Sequence, residues 1–194
     1  MDSLLKEIED YAEEKNIPIM QKKGIDFLCK VIDKNEIKNI LEIGTAIGYS
    51  AIKMANVNKD INVTSIERDQ DRYMEALKNV KKAKLDKRIN VIFGDALDIN
   101  LDDKYDLIFI DAAKGKYIKF FEKFKENLND NGVIVSDNLS FHGLVEQKER
   151  IESRNLRQLV GKIKKYIDFL NDNKEFKTKF YKVGDGIAVS LKED

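Results

Sequence analysis

Asp111, Asp137 and Asn138 supply two carboxylates and an amide carbonyl, each just after an apolar run, at 105–110 for Asp111 and 132–135 for the other two. These are hard oxygen ligands of the kind that hold Mg²⁺ or Ca²⁺, whereas zinc prefers histidine and cysteine. If the two runs are neighbouring strands, about 4.8 Å apart, their ends converge on one point. Three protein ligands leave roughly three octahedral positions for water and substrate oxygens. An open divalent site of this kind lowers the pKa of a bound hydroxyl. Asp137-Asn138 alone would also suit a turn after a strand. Lys114, three residues after Asp111, is a candidate general base beside such a site; the alternative is a solvated lysine at a helix start.

A second set of groups precedes these. Residues 39–43 form an apolar run that stops in Gly44-Thr45-Ala46-Ile47-Gly48 and passes into a helix starting near Ser50. A glycine loop lets backbone N–H groups approach a ligand closely. The spacing is not the G-x-G-x-x-G that grips a dinucleotide pyrophosphate. Glu42 at the mouth of the loop disfavours phosphate and suits a cationic ligand such as S-adenosylmethionine. Glu67 ends the run 61–66, about 20 residues downstream, where an acidic side chain accepts from ribose hydroxyls. Asp95, after the run 88–93, can accept from an adenine amino group or cap the next short helix.

These groups need elements to place them. Apolar runs alternate with helical patterns at 72–82 and 117–128, which indicates βαβ units and a parallel sheet. Runs apolar at nearly every position are strands covered on both faces. Glu67, Asp95, Asp111 and Asp137 then share the carboxyl edge of the sheet, where open α/β folds bind ligands. Leu4, Leu5, Ile8, Tyr11 and Ala12 recur at helical spacing before Pro18, and residues 24–32 read as a second helix. Near the end, runs at 177–183 and 187–192 flank Gly184-Asp185-Gly186, a hairpin signal for two antiparallel strands.

The 194 residues suit one domain, and 36% charged with 42% hydrophobic residues excludes a disordered chain. The formal net charge of zero says nothing about partners. No apolar stretch is long enough to span a membrane, and the amino end gives no expectation of a signal peptide. The single cysteine, Cys29, lies among apolar helix positions and reads as packing; the expected compartment is the cytoplasm. The single histidine, His142, follows Asn138 in an expected loop near the substrate. Residues 148–165 hold seven basic and two acidic side chains. This local excess marks either a phosphate-binding surface, with Arg150, Arg154 and Arg157 nearest the proposed ligands, or the solvated face of an amphipathic helix whose buried stripe is Leu156, Leu159, Ile163, Ile167 and Leu170.

The stretches Leu41 through Ser50, Ile66-Glu67-Arg68, Gly94-Asp95-Ala96, Ile110 through Gly115 and Asp137-Asn138 resemble the cation-dependent O-methyltransferases of the caffeoyl-CoA and catechol type. Tyr11 through Glu14, Ile17 through Met20 and Val183 through Ala188 are most similar to the branch of that family that methylates 5-hydroxyuridine at the tRNA wobble position. The resemblance implies a class I methyltransferase fold: an α/β, Rossmann-like, mostly parallel seven-stranded sheet with an antiparallel last strand. It implies one domain over 1–194, with helices in 1–35 and the Rossmann-like core in 36–194. It implies that Met20, Ser50, Glu67, Asp95, Ala96 and Asp111 line the S-adenosylmethionine site beside Glu42 and Gly44. It further implies that Asp111, Asp137 and Asn138 hold Mg²⁺ and that Lys114 is the base. The implied partner is a tRNA anticodon loop, with a small catechol as the alternative acceptor, and the implied assembly is a homodimer. One departure is that family chains usually begin with a further helix before the segment that starts here at Met1.

Overall fold

The structure is a computed structural model that describes residues 1–140, 143–145 and 152–193. Helices α1 (Asp2–Glu14) and α2 (Lys22–Lys34) precede strand β1 (Asn39–Ile43). Then follow α3 (Tyr49–Ala55), β2 (Asn62–Glu67), α4 (Gln70–Lys82), β3 (Ile89–Phe93) and β4 (Tyr105–Ile110). The chain continues through α5 (Tyr117–Phe124), β5 (Leu128–Ser136), α6 (Arg154–Asp172), β6 (Phe176–Tyr181) and β7 (Ile187–Lys192).

The seven strands form one sheet in the order β3-β2-β1-β4-β5-β7-β6. All neighbours from β3 to β5 pair in parallel, and β7 runs antiparallel to both β5 and β6. The expected architecture is therefore the observed one, with the last strand reversed. The chain order turns back on itself between β1 and β4, so the loops after these two strands open a crevice at the carboxyl edge.

Each face of the sheet has its own apolar layer, which is why β1 and β4 are apolar at nearly every position. Ile25, Leu28, Ile52, Met54 and Val80 of α2, α3 and α4 pack on one face. Phe120, Phe121, Phe124, Ile163, Tyr166 and Leu170 of α5 and α6 pack on the other. Cys29 is half-buried against the first layer, and burial pushes its thiol up, so its role is packing.

Two boundaries differ from expectation. The helical pattern over 117–128 stops at Phe124, continues as a 3-10 turn to Asn127, and gives Leu128 to β5. Leu128 fits the helical period but pairs with Tyr105, ahead of a register shift that resumes at Leu107↔Val133. In α6 the buried stripe is Val160, Ile163, Tyr166 and Leu170, not one starting at Leu156, which is 36% exposed. Residues 154–158 are all exposed, so the first turn of α6 lies beyond the face packed by the described residues.

Candidate active site

A cleft of about 510 Å³ lies along the carboxyl edge of the sheet. Met20, Gly44, Ser50, Glu67, Asp95, Ala96, Asp111, Lys114, Asp137 and Asn138 all line it, so residues separated by more than a hundred positions meet in one cavity. Met20 reaches it from the α1–α2 connection and is buried there.

The loop after β1 forms the floor of one half. Gly44 has φ +102°, and a Cβ there would sit 2.2 Å from the carbonyl oxygen of Asp111, so only glycine fits between the two strand ends. Ala46 is held in the left-handed region at φ 46°, a conformation with a cost for a residue with a side chain. Its N–H donates to Glu67 Oε2 at 2.8 Å, while Asp69 N–H donates to Oε1 at 2.8 Å. Glu67 thus clamps the loop and still faces the cleft. Asp95 has a mixed role: Oδ1 accepts from Leu97 N–H at 3.0 Å, as a helix cap does, and Oδ2 pairs with Lys116 at 2.7 Å. The Lys116 hydrogen bond holds its carboxyl below the usual range.

Glu42 does not stand at the mouth of the loop. It is fully buried and does not line the cleft. The strand period turns Glu42 to the same face as Ile40, toward α3, where both its oxygens accept hydroxyl protons, from Ser50 and from Ser65. Ser65 is its register partner on β2 and bonds Thr45 in turn at 2.6 Å. Burial pushes Glu42 up to about 7 against the two serine hydrogen bonds. A strand-end carboxylate that its spacing offers as a ligand contact is thus a buried support beneath one, because alternation decides which side of the sheet it enters.

The other half is built by β4 and β5, which are adjacent and parallel, with Ile110 opposite Ser136. Asp111 and Asp137 therefore follow neighbouring strand ends. Asn138 is left-handed at φ 64°, which turns its amide back onto both: Nδ2 lies 3.1 Å from Asp111 Oδ1 and 3.4 Å from Asp137 Oδ2. Lys114 Nζ lies 3.3 Å from Asp111 Oδ1. Asp137 is buried, and its Oδ1 has no hydrogen-bond partner among the described residues. Burial first, then the charge of Asp111, pushes Asp137 up to about 7. Such a group is costly unless something charged meets it.

Several contributors to the site carry no sequence motif. Asp185, in the β6–β7 turn, is buried, lines the cleft, and accepts from Ser140 N–H through its carbonyl at 2.8 Å. Gly186 accepts from Leu139 N–H at 3.0 Å, so the hairpin tip braces the segment that follows Asn138. Tyr117 is buried and accepts from Lys114 Nζ at 2.8 Å. The recurrence of an aromatic three residues after Lys114 on a helix start was the available signal.

Arg154 and Arg157 are exposed on α6 and do not line the cleft. Arg157 Nη1 donates to the Glu152 carbonyl at 2.7 Å. Arg150 and His142 lie outside the described residues, as does Lys148. Among the described residues no three histidine, cysteine, aspartate or glutamate side chains form a ready cation cage. The set present is two carboxylates and an amide, and among the described residues no helix is long and apolar enough to cross a membrane.

A family model described as O-methyltransferase matches residues 1–193. The chain belongs to the O-methyltransferase family. Membership makes it an S-adenosylmethionine-dependent O-methyltransferase of the caffeoyl-CoA and catechol type. Tapetum-specific methyltransferase 1 of Arabidopsis thaliana is 30% identical over 200 residues, covering 96% of this chain and 84% of the relative. A catechol O-methyltransferase of Niastella koreensis is 33% identical over 133 residues, covering 65% and 60%. Among solved structures, a candidate caffeoyl-CoA O-methyltransferase from Staphylococcus aureus superposes with a TM-score of 0.92 at 37% identity, covering 97% of this chain and 92% of that one. An O-methyltransferase from Bacillus cereus, solved in complex with SAH, gives 0.83 at 25% identity, covering 100% and 92%.

Proposed function

We propose that this O-methyltransferase transfers the sulfonium methyl of S-adenosylmethionine to the hydroxyl of 5-hydroxyuridine at the tRNA wobble position, giving 5-methoxyuridine, with Mg²⁺ as cofactor. The Gly44–Gly48 loop, Met20, Ser50, Glu67, Asp95 and Ala96 hold the donor. Glu67 receives the ribose hydroxyls on lone pairs that the two backbone N–H groups leave open. Asp111, Asp137 and Asn138 would hold the cation, and their fit rests on the buried, unpartnered Oδ1 of Asp137 beside a second carboxylate. Held by these residues, a divalent ion would lower the pKa of the acceptor hydroxyl. Lys114 takes the hydroxyl proton, and the cleft keeps donor and acceptor in line.

The observation that carries the RNA acceptor is the cationic start of α6. Arg154, Arg157 and Lys162 are exposed there, and the Lys162 Cδ and Nζ each lie 3.2 Å from where a Cβ on Gly115 would sit, next to Lys114. Positive charge therefore runs from the helix to the rim of the cleft, as an anticodon loop with a splayed base would require. Replacing Arg150, Arg154 and Arg157 together with alanine should leave donor affinity unchanged. It should flatten the log–log salt dependence of tRNA binding by about 0.7–0.9 per lost phosphate contact. An unaltered slope removes these arginines from the interface.

The second reading is methylation of a small catechol, favoured by the likeness to catechol and caffeoyl-CoA methyltransferases. Transfer to tRNA carrying 5-hydroxyuridine, assayed beside a catechol panel with and without EDTA, separates the two. Efficient catechol methylation by a chain that does not bind tRNA replaces the RNA reading. We also propose a homodimer in the cytoplasm, which light scattering and fractionation would test.

A further inference from the structure

We infer that Tyr117 is a positioning residue for Lys114, holding its amine at the reacting end of the cleft; this rests on the reading of Lys114 as the base. Lys114 is anchored by two contacts: Asp111 Oδ1 at 3.3 Å and the Tyr117 hydroxyl at 2.8 Å. The shorter one involves a side chain that cannot drift. The Tyr117 ring is buried, edge-on to Tyr166 at 5.2 Å, and Tyr166 is bonded through its own hydroxyl to Ser136 at 2.7 Å. The Tyr117 hydroxyl donates its proton to the Asp137 carbonyl at 3.2 Å. Its oxygen is thereby left to accept, and Lys114 Nζ is what it accepts from. A relay of two hydrogen bonds thus ties the Lys114 amine to the backbone at the end of β5, across the gap between two strands.

Lysine carries a compact charge on a flexible four-carbon stem, so a single ion pair does not fix where its nitrogen sits. Asp111 is also a contested partner. It is shared with Asn138, and a cation at this site would draw its oxygens away. The phenol oxygen of Tyr117 is already engaged twice, so a cation would not compete for it. Asp111 and Tyr117 therefore do different work: one contributes charge, the other sets position.

Tyr117→Phe removes only the hydroxyl and keeps the ring against Tyr166. With 5-hydroxyuridine tRNA and 3,4-dihydroxybenzoate as acceptors, kcat should fall about tenfold, the size of one charge-assisted hydrogen bond. The KM for the donor and its calorimetric Kd should not change. In a Lys114→Ala background the same substitution should cost nothing further, because the amine it positions is gone. A crystal structure of Tyr117→Phe should show Lys114 Nζ displaced. Equal losses with and without Lys114, or an undisplaced Nζ, overturn the inference and leave Tyr117 as packing. If Lys114→Ala itself retains full kcat, the base reading fails, and the inference fails with it.

Discussion

At the ends of β1, β2 and β3, both oxygens of each carboxylate have donors: Ser50 and Ser65 for Glu42, Ala46 and Asp69 N–H for Glu67, Leu97 N–H and Lys116 for Asp95. At the ends of β4 and β5 the pattern reverses. Asp111 Oδ1 is shared between Lys114 and Asn138, and Asp137 keeps a buried oxygen with no partner among the described residues. The donor half of the cleft is organised before any ligand arrives. The half that we assign to the acceptor holds two carboxylates side by side, one with a buried oxygen that no described residue meets. The second half is where we propose that a cation binds, and removing the Asp137 carboxylate should relieve the fold there.

The largest effect should come from breaking that second half. Asp137→Asn should abolish methyl transfer, as excess EDTA should in the parent. It should also raise the Tm of the cation-free protein at pH 8. About 1–3 kcal/mol of relieved burial, the range for a polar group lacking a partner, corresponds to several degrees in a chain of this size. Full activity in EDTA, or a lowered Tm, would erase the contrast between the halves. Next in size is Lys114→Ala. With the proposed 5-hydroxyuridine acceptor, whose hydroxyl is already acidic, it should lower kcat roughly 10²-fold, the low end for a general base. Donor affinity should hold, and an unaltered pH–rate profile would show that another group takes the proton.

Glu67→Ala tests the first half. It should weaken S-adenosylmethionine binding by about 1.5–3 kcal/mol, as expected for hydrogen bonds to a charged group, and leave the fold cooperative. Calorimetry that finds the same Kd would reduce Glu67 to a loop clamp. The last test is of Glu42, read through the pH dependence of stability. Its pKa in the folded protein is raised to about 7 from an ordinary 4.5, mainly by burial. The folded state therefore holds a proton that the unfolded chain has released between these values. The stability that this proton contributes is full below about pH 4.5 and is lost as pH rises through 7, at up to about 1.4 kcal/mol per pH unit. Glu42→Gln should flatten that slope in thermal melts between pH 5 and 7.5. A variant with the parent's slope would mean that Glu42 is ionised in the folded protein and that its two serines suffice.

The sequence by itself determined the strands, their order of appearance, and the row of acidic residues that closes them, because apolar runs and periodicity are local. It also determined which side chains could meet: Asp111, Asp137 and Asn138 follow their strands directly, so adjacency of β4 and β5 was enough to join them. Glu42 shows where this stopped. Its distance from Gly44 suggested a ligand contact, but pleat alternation sends its side chain to the α3 face, where Ser65 in register across β2 and Ser50 on a helix close over it. The roles of Tyr117, whose spacing from Lys114 was its one local signal, and of Asp185 depended on tertiary structure for a related reason. One is chosen by packing against Tyr166, and the other by a hairpin tip folding back onto the segment after Asn138. Spacing along the chain fixes which residues end a strand. Which of their oxygens are left without a donor depends on neighbours that arrive from distant segments, and only the assembled sheet and its two helical layers decide that.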